Sequence, residues 1–302
     1  MPPRWPEALG AWLRDSYGSP LATEQLGGMS QSQIFRVSGP RGSVIVKNGA
    51  RPAEARFYRM VMPALKDFGI GIPQLIWLGS EDDGVWWIAL EDVAQPLPGE
   101  RWDADREVLG MLKRLHATPP SCLPVGLDGF FRPRWTQAMD EATLSYFAAE
   151  TTDLAELLRG IREDYLYLFS MGCLISGDPN PTNWGLREDG SVVLYDWERF
   201  GMGAPALDLA ITIPGLGDEG AFRRVAAAYL CAGEKSDAEA IAERVENVPS
   251  TVGGLAKEIA AAKVWSVVEF AGMVVDDVVS VTPRIRTLLS KFPRWVSSLP
   301  FS

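Results

Sequence analysis

The segment SGDPNPTNWGLREDGSVVLYDWERF, residues 176–200, contains the pattern that decides the fold. It places Asp178 first, Asn183 five residues later and Asp196 thirteen residues after that. Between the last two lies Asp189-Gly190, a dipeptide that strongly favours a hairpin turn. An acid, an amide and a second acid in this order indicate a chemical site that the turn assembles.

The turn determines which residues face each other. If Asp189-Gly190 supplies the two central residues of a type I′ turn, in which both need a positive φ, Trp184 pairs with Tyr195 and Asn183 with Asp196. The Cβ atoms of directly opposed residues lie about 4.5–5.5 Å apart. We therefore predict that the Asn183 amide and the Asp196 carboxylate meet at the open end of the hairpin.

Oxygen ligands of this kind suit Mg²⁺. An Asp followed five residues later by Asn, with another Asp downstream, is also the order in the catalytic loop of protein kinases. There the first Asp accepts the proton of the attacking hydroxyl, while the Asn and the second Asp hold magnesium. The alternative is a plain turn, because Asp, Asn, Pro and Gly are common in turns for backbone reasons alone.

The composition narrows the class of protein. The chain has 302 residues and a formal net charge of −10, which argues against nucleic acid as a partner because such binding needs clustered Lys and Arg. Its three cysteines lie far apart, and His116 is its one histidine. We therefore expect neither a His/Cys zinc site nor a Ser-His-Asp triad, and we interpret His116 as a packed or capping residue.

No membrane segment is expected. The first 18 residues lack the apolar core of a signal peptide. The apolar segment 260–281 is interrupted by Lys263, Glu269, Asp276 and Asp277, so it favours a buried helix. These features predict a cytoplasmic protein without a membrane partner, and they leave its oligomeric state open.

The layout predicts an α+β fold of two lobes. Residues 1–93 form a small β-rich N-lobe with one helix, and residues 94–302 form a larger, mainly helical C-lobe that begins with a linker at 94–102. One β interruption is expected in the C-lobe, at 184–196. The C-lobe carries nine more acidic than basic residues, and therefore most of the net charge.

Lys47 and Glu54 are candidates for a nucleotide-binding site. Lys47 lies in a predicted strand on the same face as Ile45, where it can reach phosphate oxygens as a point charge. Glu54 lies on an apolar face of the next helix, and a carboxylate there needs a partner, for which Lys47 is the nearest candidate. An ordinary strand-end lysine and a solvated helix-start glutamate are the alternatives.

Two further segments of the N-lobe could contact a nucleotide. Gly27, Gly28 and Ser30 lie in LGGMSQSQ between two strands, where bare backbone can approach phosphates. The segment from Glu91 to Val93 runs into the linker and offers backbone groups to a purine edge. A hairpin turn and a core strand are the respective alternatives.

A weak dinucleotide signal competes with this interpretation. PGLGDEG fits the G-x-G-x-x-G pattern at Gly215, Gly217 and Gly220, which would suggest a flavin or nicotinamide oxidoreductase. The preceding ALDLAITI is predicted to be helical, and no βαβ unit surrounds it. We therefore give this interpretation little weight.

The chain resembles the aminoglycoside phosphotransferase/choline kinase family, which has the protein-kinase-like fold. The resemblance runs in order through LGGMSQSQIFRV, VIVK, EARFYR, LEDV, LHA, SGDPNPTN, YDWE and APALDLA. It implies ATP and Mg²⁺ as cofactors. It assigns these roles: Asp178 as catalytic base, Asn183 and Asp196 as metal ligands with Glu198 as a further contact, Lys47 on the phosphates with Glu54 as its ion-pair partner, Glu91–Val93 as the adenine hinge, and Asp208 as a brace of the catalytic loop.

One residue departs from the family pattern. The family usually has His two residues before the catalytic Asp, and this chain has Ser176 there. Because that His is mainly structural in such folds, we expect activity to survive. The alternative is a nucleotide-binding regulatory protein with little or no kinase activity.

The resulting hypothesis is an ATP-dependent phosphotransferase acting on a hydroxyl of a small molecule. Aminoglycoside-like, choline-like and sugar-like acceptors all fit, and the acidic C-lobe favours a cationic or polyhydroxylated one. Trp265, Glu269, Asp276 and Asp277 are candidates for lining the acceptor site, with a packed core Trp and solvated acids as the alternatives. The choice between ATP and GTP is open.

Overall fold

The computed structural model describes residues 4–27, 32–81, 84–93, 95–147, 151–170, 172–233, 251–276 and 281–301. In these ranges a β-rich N-terminal part is followed by a mainly helical C-terminal part, as the layout predicted. None of the helices in these ranges is long and apolar enough to cross a membrane.

The N-terminal part is built on one antiparallel sheet. The strands are β1 (Ala22–Leu26), β2 (Gln33–Gly39), β3 (Gly42–Ala50), β4 (Leu75–Ser80) and β5 (Trp86–Glu91). Their order in the sheet is β1-β2-β3-β5-β4. In β3, Lys47 pairs with Ile34 of β2 and Ile88 of β5, so it lies in the middle of the sheet rather than at its edge.

A second helix covers the outer face of this sheet. The N-lobe was predicted to have one helix, but α1 (Glu7–Tyr17) precedes the first strand. Leu9 and Leu13, one helical turn apart, are fully buried against the face that carries Val44 and Val46. The opposite face, which carries Lys47, is left for the cleft.

The predicted helix after β3 is present, with an irregular middle. It runs as α2 (Pro52–Arg56), a π-helical segment (Phe57–Val61) and α3 (Met62–Lys66). The Phe57 ring stacks on Trp197 with centroids 4.6 Å apart, and the Tyr58 hydroxyl donates to the Tyr195 carbonyl at 2.7 Å. These contacts fix the helix to the segment that carries Asp196.

The C-terminal part packs its helices around a long central one. The helices are α4 (Arg106–Ala117), α5 (Gln137–Phe147), α6 (Thr151–Asp164), α7 (Pro205–Ile211), α8 (Glu219–Cys231), α9 (Val252–Val275), α10 (Pro283–Leu289) and α11 (Phe292–Val296). The central helix is α9, which contacts α5, α7 and α8.

The C-terminal part also contains five short strands in the described ranges. They are β6 (Gln95–Pro96), β7 (Cys173–Ile175), β8 (Trp184–Leu186), β9 (Val192–Leu194) and β10 (Gly201–Gly203), in sheets ordered β6-β8-β9 and β10-β7. The expectation of one β interruption is therefore wrong. All three residues of β7 are buried, so the strand lacks the alternation that reveals one. The lobe boundary at 93/94 stays a prediction.

Candidate active site

The hairpin forms, but its register differs from the predicted one by one residue. Trp184 pairs with Leu194 and Leu186 with Val192. Beyond the strands, Arg187 N donates to Ser191 O at 3.1 Å, which leaves a loop of three residues rather than two. The predicted pairing of Asn183 with Asp196 is therefore wrong.

The backbone of the loop explains the difference. A type I′ turn needs a positive φ at both central residues. Gly190 has φ 82°, whereas Ala104 is the only residue other than glycine with a positive φ in the described ranges. Asp189 instead accepts hydrogen bonds from the Ser191 amide and hydroxyl at 2.9 and 2.6 Å. The result is a three-residue loop with glycine in the left-handed position.

Asn183 is hydrogen-bonded to the backbone of Asp178, whereas the neighbour predicted for it was Asp196. The Asn183 carbonyl accepts from Tyr195 N at 2.8 Å, so Tyr195 takes the facing position that was predicted for Asp196. Asn183 ends a 3₁₀ turn that Asn180 caps, and its Nδ2 donates to the Asp178 carbonyl at 3.0 Å. The loop, rather than the strand ladder, therefore holds this amide.

Asp208 fixes the backbone that leads to Asp178. Its carboxylate accepts from the amides of Ser176 and Gly177, both at 2.8 Å, and lies 3.2 Å from His116 Nε2. His116 Nδ1 lies 2.7 Å from the Tyr229 hydroxyl, so the histidine is packed, as the sequence suggested. The Ser176 hydroxyl is buried without a hydrogen-bond partner in the described ranges. The loop is thus braced through the amide of Ser176, which does not depend on its side chain.

Gly177 allows this loop to pass close to the next segment. Its φ is 81°, and a Cβ there would lie 2.1 Å from the Arg199 carbonyl oxygen. Gly190 has nearly the same φ of 82°, but a Cβ there would meet nothing within 4 Å. The two glycines share the backbone conformation and differ in the space around them.

We expect Gly177→Ala to reduce kcat by about tenfold or more, because the loop must shift and carry Asp178 with it. Gly190→Ala is the control, and it should cost only the backbone strain, about 1–2 kcal/mol of unfolding free energy. Steady-state kinetics and thermal unfolding of both variants test this. Equal kcat losses in the two variants would show that the close approach at Gly177 does not matter.

Asp178 lies partly buried among charged groups. Burial, together with the charges of Asp196 and Glu198, raises the pKa of its carboxyl to about 6 against the opposing effects of Arg199 and an Asn183 hydrogen bond. A carboxyl in this range can be ionised near neutral pH and still accept a proton, as a general base requires.

Arg199 is a site residue that the sequence reasoning missed. Its Nε donates to the Gly177 carbonyl at 3.2 Å, and its guanidinium lies 4.1 Å from the centre of the Phe131 ring. Glu269 binds it at 2.5 Å, from 70 residues away. Its place directly after Asp-Trp-Glu was the signal that could have suggested it, whereas the partner Glu269 has no local signal.

Lys47 and Glu54 form a buried ion pair. Lys47 Nζ lies 2.8 Å from Glu54, and the two residues are 4% and 1% exposed. The same Nζ lies 3.7 Å from Asp196 Oδ1 and 3.8 Å from Glu198 Oε2. Burial alone would lower the pKa of Lys47, but these three carboxylates together raise it. Burial raises the pKa of Glu54 to about 7 against the opposing pull of Lys47.

We expect Lys47→Ala and Glu54→Ala to be non-additive. Each should lower the unfolding free energy by about 3 kcal/mol, because it leaves a charge buried without its main partner. The double variant should lose less than the sum by about 1–3 kcal/mol. Both single variants should raise the KM for ATP, Lys47→Ala by more. Denaturant unfolding and ATP kinetics of all four proteins measure this.

The exposed Arg223–Glu219 pair is the matched control for this cycle. Its members are more than half exposed, so their coupling should stay below about 0.5 kcal/mol. Strict additivity at Lys47 and Glu54, as at this surface pair, would contradict a functional ion pair.

The oxygens near Lys47 fit a magnesium ion. Asp196 and Glu198 present two carboxylates, while Asn183, the third predicted ligand, has its amide nitrogen bound to the Asp178 carbonyl. The described ranges contain no cluster of three or more His, Cys, Asp and Glu residues that could hold a metal. Mg²⁺ does not need one, because it usually binds one or two carboxylates and completes its shell with waters and substrate phosphates.

Only some of the remaining candidates for nucleotide binding lie in the described ranges. Gly28 and Ser30 lie outside the described residues, and Gly27 directly follows β1. The Glu91 side chain binds Arg187 at 2.7 and 2.9 Å, and the Val93 carbonyl accepts from the Tyr195 hydroxyl at 3.2 Å. Their hinge role stays a prediction.

The residues predicted to line the acceptor site lie in different surroundings. Trp265 is 2% exposed and donates from Nε1 to the Arg134 carbonyl at 2.9 Å, so it packs in the core, contrary to the expectation that it lines a substrate site. Glu269 is joined to the loop of Asp178 through Arg199. Asp276 is exposed at the end of α9, and Asp277 lies outside the described residues.

Comparisons with known proteins identify the family and the fold. Residues 22–243 match the phosphotransferase enzyme family. No curated protein matches the sequence. The structure is similar to that of a spectinomycin phosphotransferase in complex with ADP and spectinomycin, at 13% identity and a TM-score of 0.64, over 98% of this chain and 100% of that one.

Two further solved structures share the fold. Choline kinase from Streptococcus pneumoniae is 15% identical with a TM-score of 0.56, over 97% of this chain and 99% of that one. A macrolide 2′-phosphotransferase from Brachybacterium faecium is 16% identical with a TM-score of 0.54, over 98% and 100%. At these identities the likeness establishes the fold, which is the predicted protein-kinase-like one.

Proposed function

This chain belongs to the phosphotransferase enzyme family, and from that premise we propose that it moves the γ-phosphate of ATP to a hydroxyl group of a small molecule. The observation that carries the proposal is the position of Lys47. It is buried mid-sheet against Glu54, with Asp196 and Glu198 within 4 Å. A cation aligned by one carboxylate beside two further carboxylates suits the grip of a metal–nucleotide complex.

Each residue then has a separate task. Glu54 holds Lys47 extended, so that its ammonium group can bind phosphate oxygens. Asp178 accepts the proton of the acceptor hydroxyl as the new bond to phosphorus forms and the bond to the departing ADP breaks. Arg199 stabilises the ionised carboxylate of Asp178. Asp208 keeps the Asp178 loop in one conformation. Catalysis of this kind depends mainly on positioning and electrostatics.

A magnesium ion would be held by Asp196, Asn183 and Glu198. When bound, it would neutralise charge on the transferring phosphate. The two carboxylates lie beside Lys47, so the metal and the lysine would act on the same triphosphate. Glu91 to Val93 would supply the backbone groups for the purine.

The acceptor is an aminoglycoside-like, choline-like or sugar-like molecule. The structural neighbours named above include a phosphotransferase bound to spectinomycin and a choline kinase. The acidic C-lobe favours a cationic or polyhydroxylated acceptor. The acceptor would lie next to Asp178 and Arg199, where the loop meets α9 through Glu269.

An ATP-consumption screen against hydroxylated metabolites and antibiotics tests the proposal. The Asp178→Asn variant is the background control, because it should keep the cleft and lose the base. An acceptor that stimulates ADP release by the native protein but not by the Asp178→Asn variant supports the proposal. Nucleotide binding without acceptor-dependent turnover across the panel would favour the regulatory alternative. Incorporation of labelled phosphate into the product separates transfer from simple ATP hydrolysis.

A further inference from the structure

A cavity of about 830 Å³ opens on a different part of the molecule from the candidate active site. The chain from α3 to β4, the helix α4 and the β8–β9 hairpin form its walls. Lys47, Asp178 and Asp196 do not line it. Glu91, a candidate for the nucleotide hinge, also lines the cavity, and its side chain binds Arg187 of the same lining. The volume lies in the range of about 300–1,000 Å³ that is usual for small-molecule sites.

The cavity is basic in a strongly acidic protein. Its charged lining consists of Lys66, Arg106, Arg114, Arg187, Glu91 and Glu107, an excess of two positive charges. The chain as a whole carries −10. Such a local reversal of sign concentrates anions at one place on the surface.

Internal partners hold several of these charges in place and leave others facing solvent. Arg187 is fixed by Glu91 at 2.7 and 2.9 Å and by the Ile72 carbonyl at 2.9 Å, while Arg114 donates to the Gly69 carbonyl at 3.2 Å. Lys66 and Arg106 are exposed. The charge of Lys66 contributes to a lowered pKa of Glu91, for which the Arg187 hydrogen bond is the larger cause. Two positioned guanidinium groups and two accessible cations thus surround one space.

The acidic members of the lining already have partners. Glu107 binds Arg101 at 2.6 Å, and Glu91 and Arg187 neutralise each other. An incoming anion would therefore meet mainly the charges of Lys66, Arg106 and Arg114. Guanidinium forks match phosphate and carboxylate oxygens, and the lysine adds a point charge.

We propose that this basic cavity is a second ligand site, which takes a small polyanion bearing phosphate or carboxylate groups. The ligand would touch Lys66 from the β-rich part and Arg106 from the helical part. It would therefore bridge the two halves of the molecule and stabilise their contact.

Binding of inorganic phosphate and, separately, of citrate tests the proposal. Titration calorimetry in magnesium-free buffer, with and without saturating ADP, measures it at millimolar probe concentrations. We expect one site for each probe that remains open with ADP present. Phosphate binding without citrate binding would identify a phosphate ligand, and the reverse a carboxylate ligand. No binding of either probe, or complete displacement by ADP, would overturn the proposal.

Lys66→Gln/Arg106→Gln should weaken probe binding by at least about tenfold, because it removes the two accessible cations. The matched control is Arg132→Gln/Arg223→Gln, which removes two exposed cations elsewhere, each paired within its own segment. Equal weakening in both double variants would show only a general charge effect and would contradict a built site. If the first double variant fails to fold, Lys66→Gln and Arg106→Gln are measured singly, and unchanged binding in both rejects the site.

Discussion

Replacing Asp178 with asparagine should lower kcat by about 10²–10⁴-fold, because the acceptor hydroxyl loses its proton acceptor. The amide is nearly the same size, so the loop held by Asp208 should keep its conformation. ADP affinity and the unfolding midpoint should therefore change little. Single-turnover phosphate transfer measures the chemical step directly, since it is independent of product release.

Asp103→Asn is the matched control for this substitution. Asp103 is about half exposed and pairs with Arg224 on the surface, so the same change there should leave kcat unaffected. Turnover of Asp178→Asn within a factor of a few of the native rate would remove Asp178 from the mechanism. A large fall in ADP affinity would instead show that its main effect is structural.

Asp196→Asn should abolish most magnesium-dependent turnover, with a loss of about 10³-fold at any practical Mg²⁺ concentration. The change removes one of the two carboxylates proposed to hold the metal beside Lys47, and bound metal supplies several kcal/mol of charge stabilisation in such reactions. The fold should survive, because the Asp196 side chain is 27% exposed at the edge of the cleft. Kinetics across a Mg²⁺ titration, together with thermal unfolding, measure both expectations.

Asp189→Asn is the control for the metal site, since Asp189 lies on the exposed loop of the same hairpin. It should leave the Mg²⁺ dependence unchanged. An unaltered Mg²⁺ titration in Asp196→Asn would rule this residue out as a ligand. Rescue by high Mg²⁺ would assign it a weaker share of the binding, with Glu198 carrying more.

The sequence predicted best where neighbours along the chain meet in space. Lys47 and Glu54 lie seven residues apart on consecutive elements, so strand alternation and helix spacing were enough to bring them together. The division into a β-rich and a helical part followed from alternation and turn residues in the same way. The composition of residues 176–200 also indicated a loop and a hairpin there, and both are present.

The hairpin register was missed because one dihedral angle decides it. Asp-Gly is compatible with two turn types, and the choice depends on whether Asp189 adopts a positive φ or captures the Ser191 amide. The resulting loop has one residue more, which shifts every pair by one. Asn183 itself is held by its own 3₁₀ turn, outside the ladder.

Long-range partners carry no sequence signal. Arg199 and Glu269 lie 70 residues apart, and nothing near either one indicates the other. Trp265 was named as a candidate for the acceptor site beside the interpretation as a packed core residue, and the structure shows it packed in the core. The strand β7 escaped notice because it is buried on both faces and only three residues long.

The contacts of Phe57 and Tyr58 restrict how this enzyme can be switched off. Protein kinases are controlled in part through the position of the helix whose Glu pairs with the lysine. Here that helix carries a ring stacked on Trp197 and a hydroxyl bound to the Tyr195 carbonyl, and all three side chains involved are at most 1% exposed. An outward swing would have to expose these aromatic rings to water. Control by helix displacement is therefore costly in this chain.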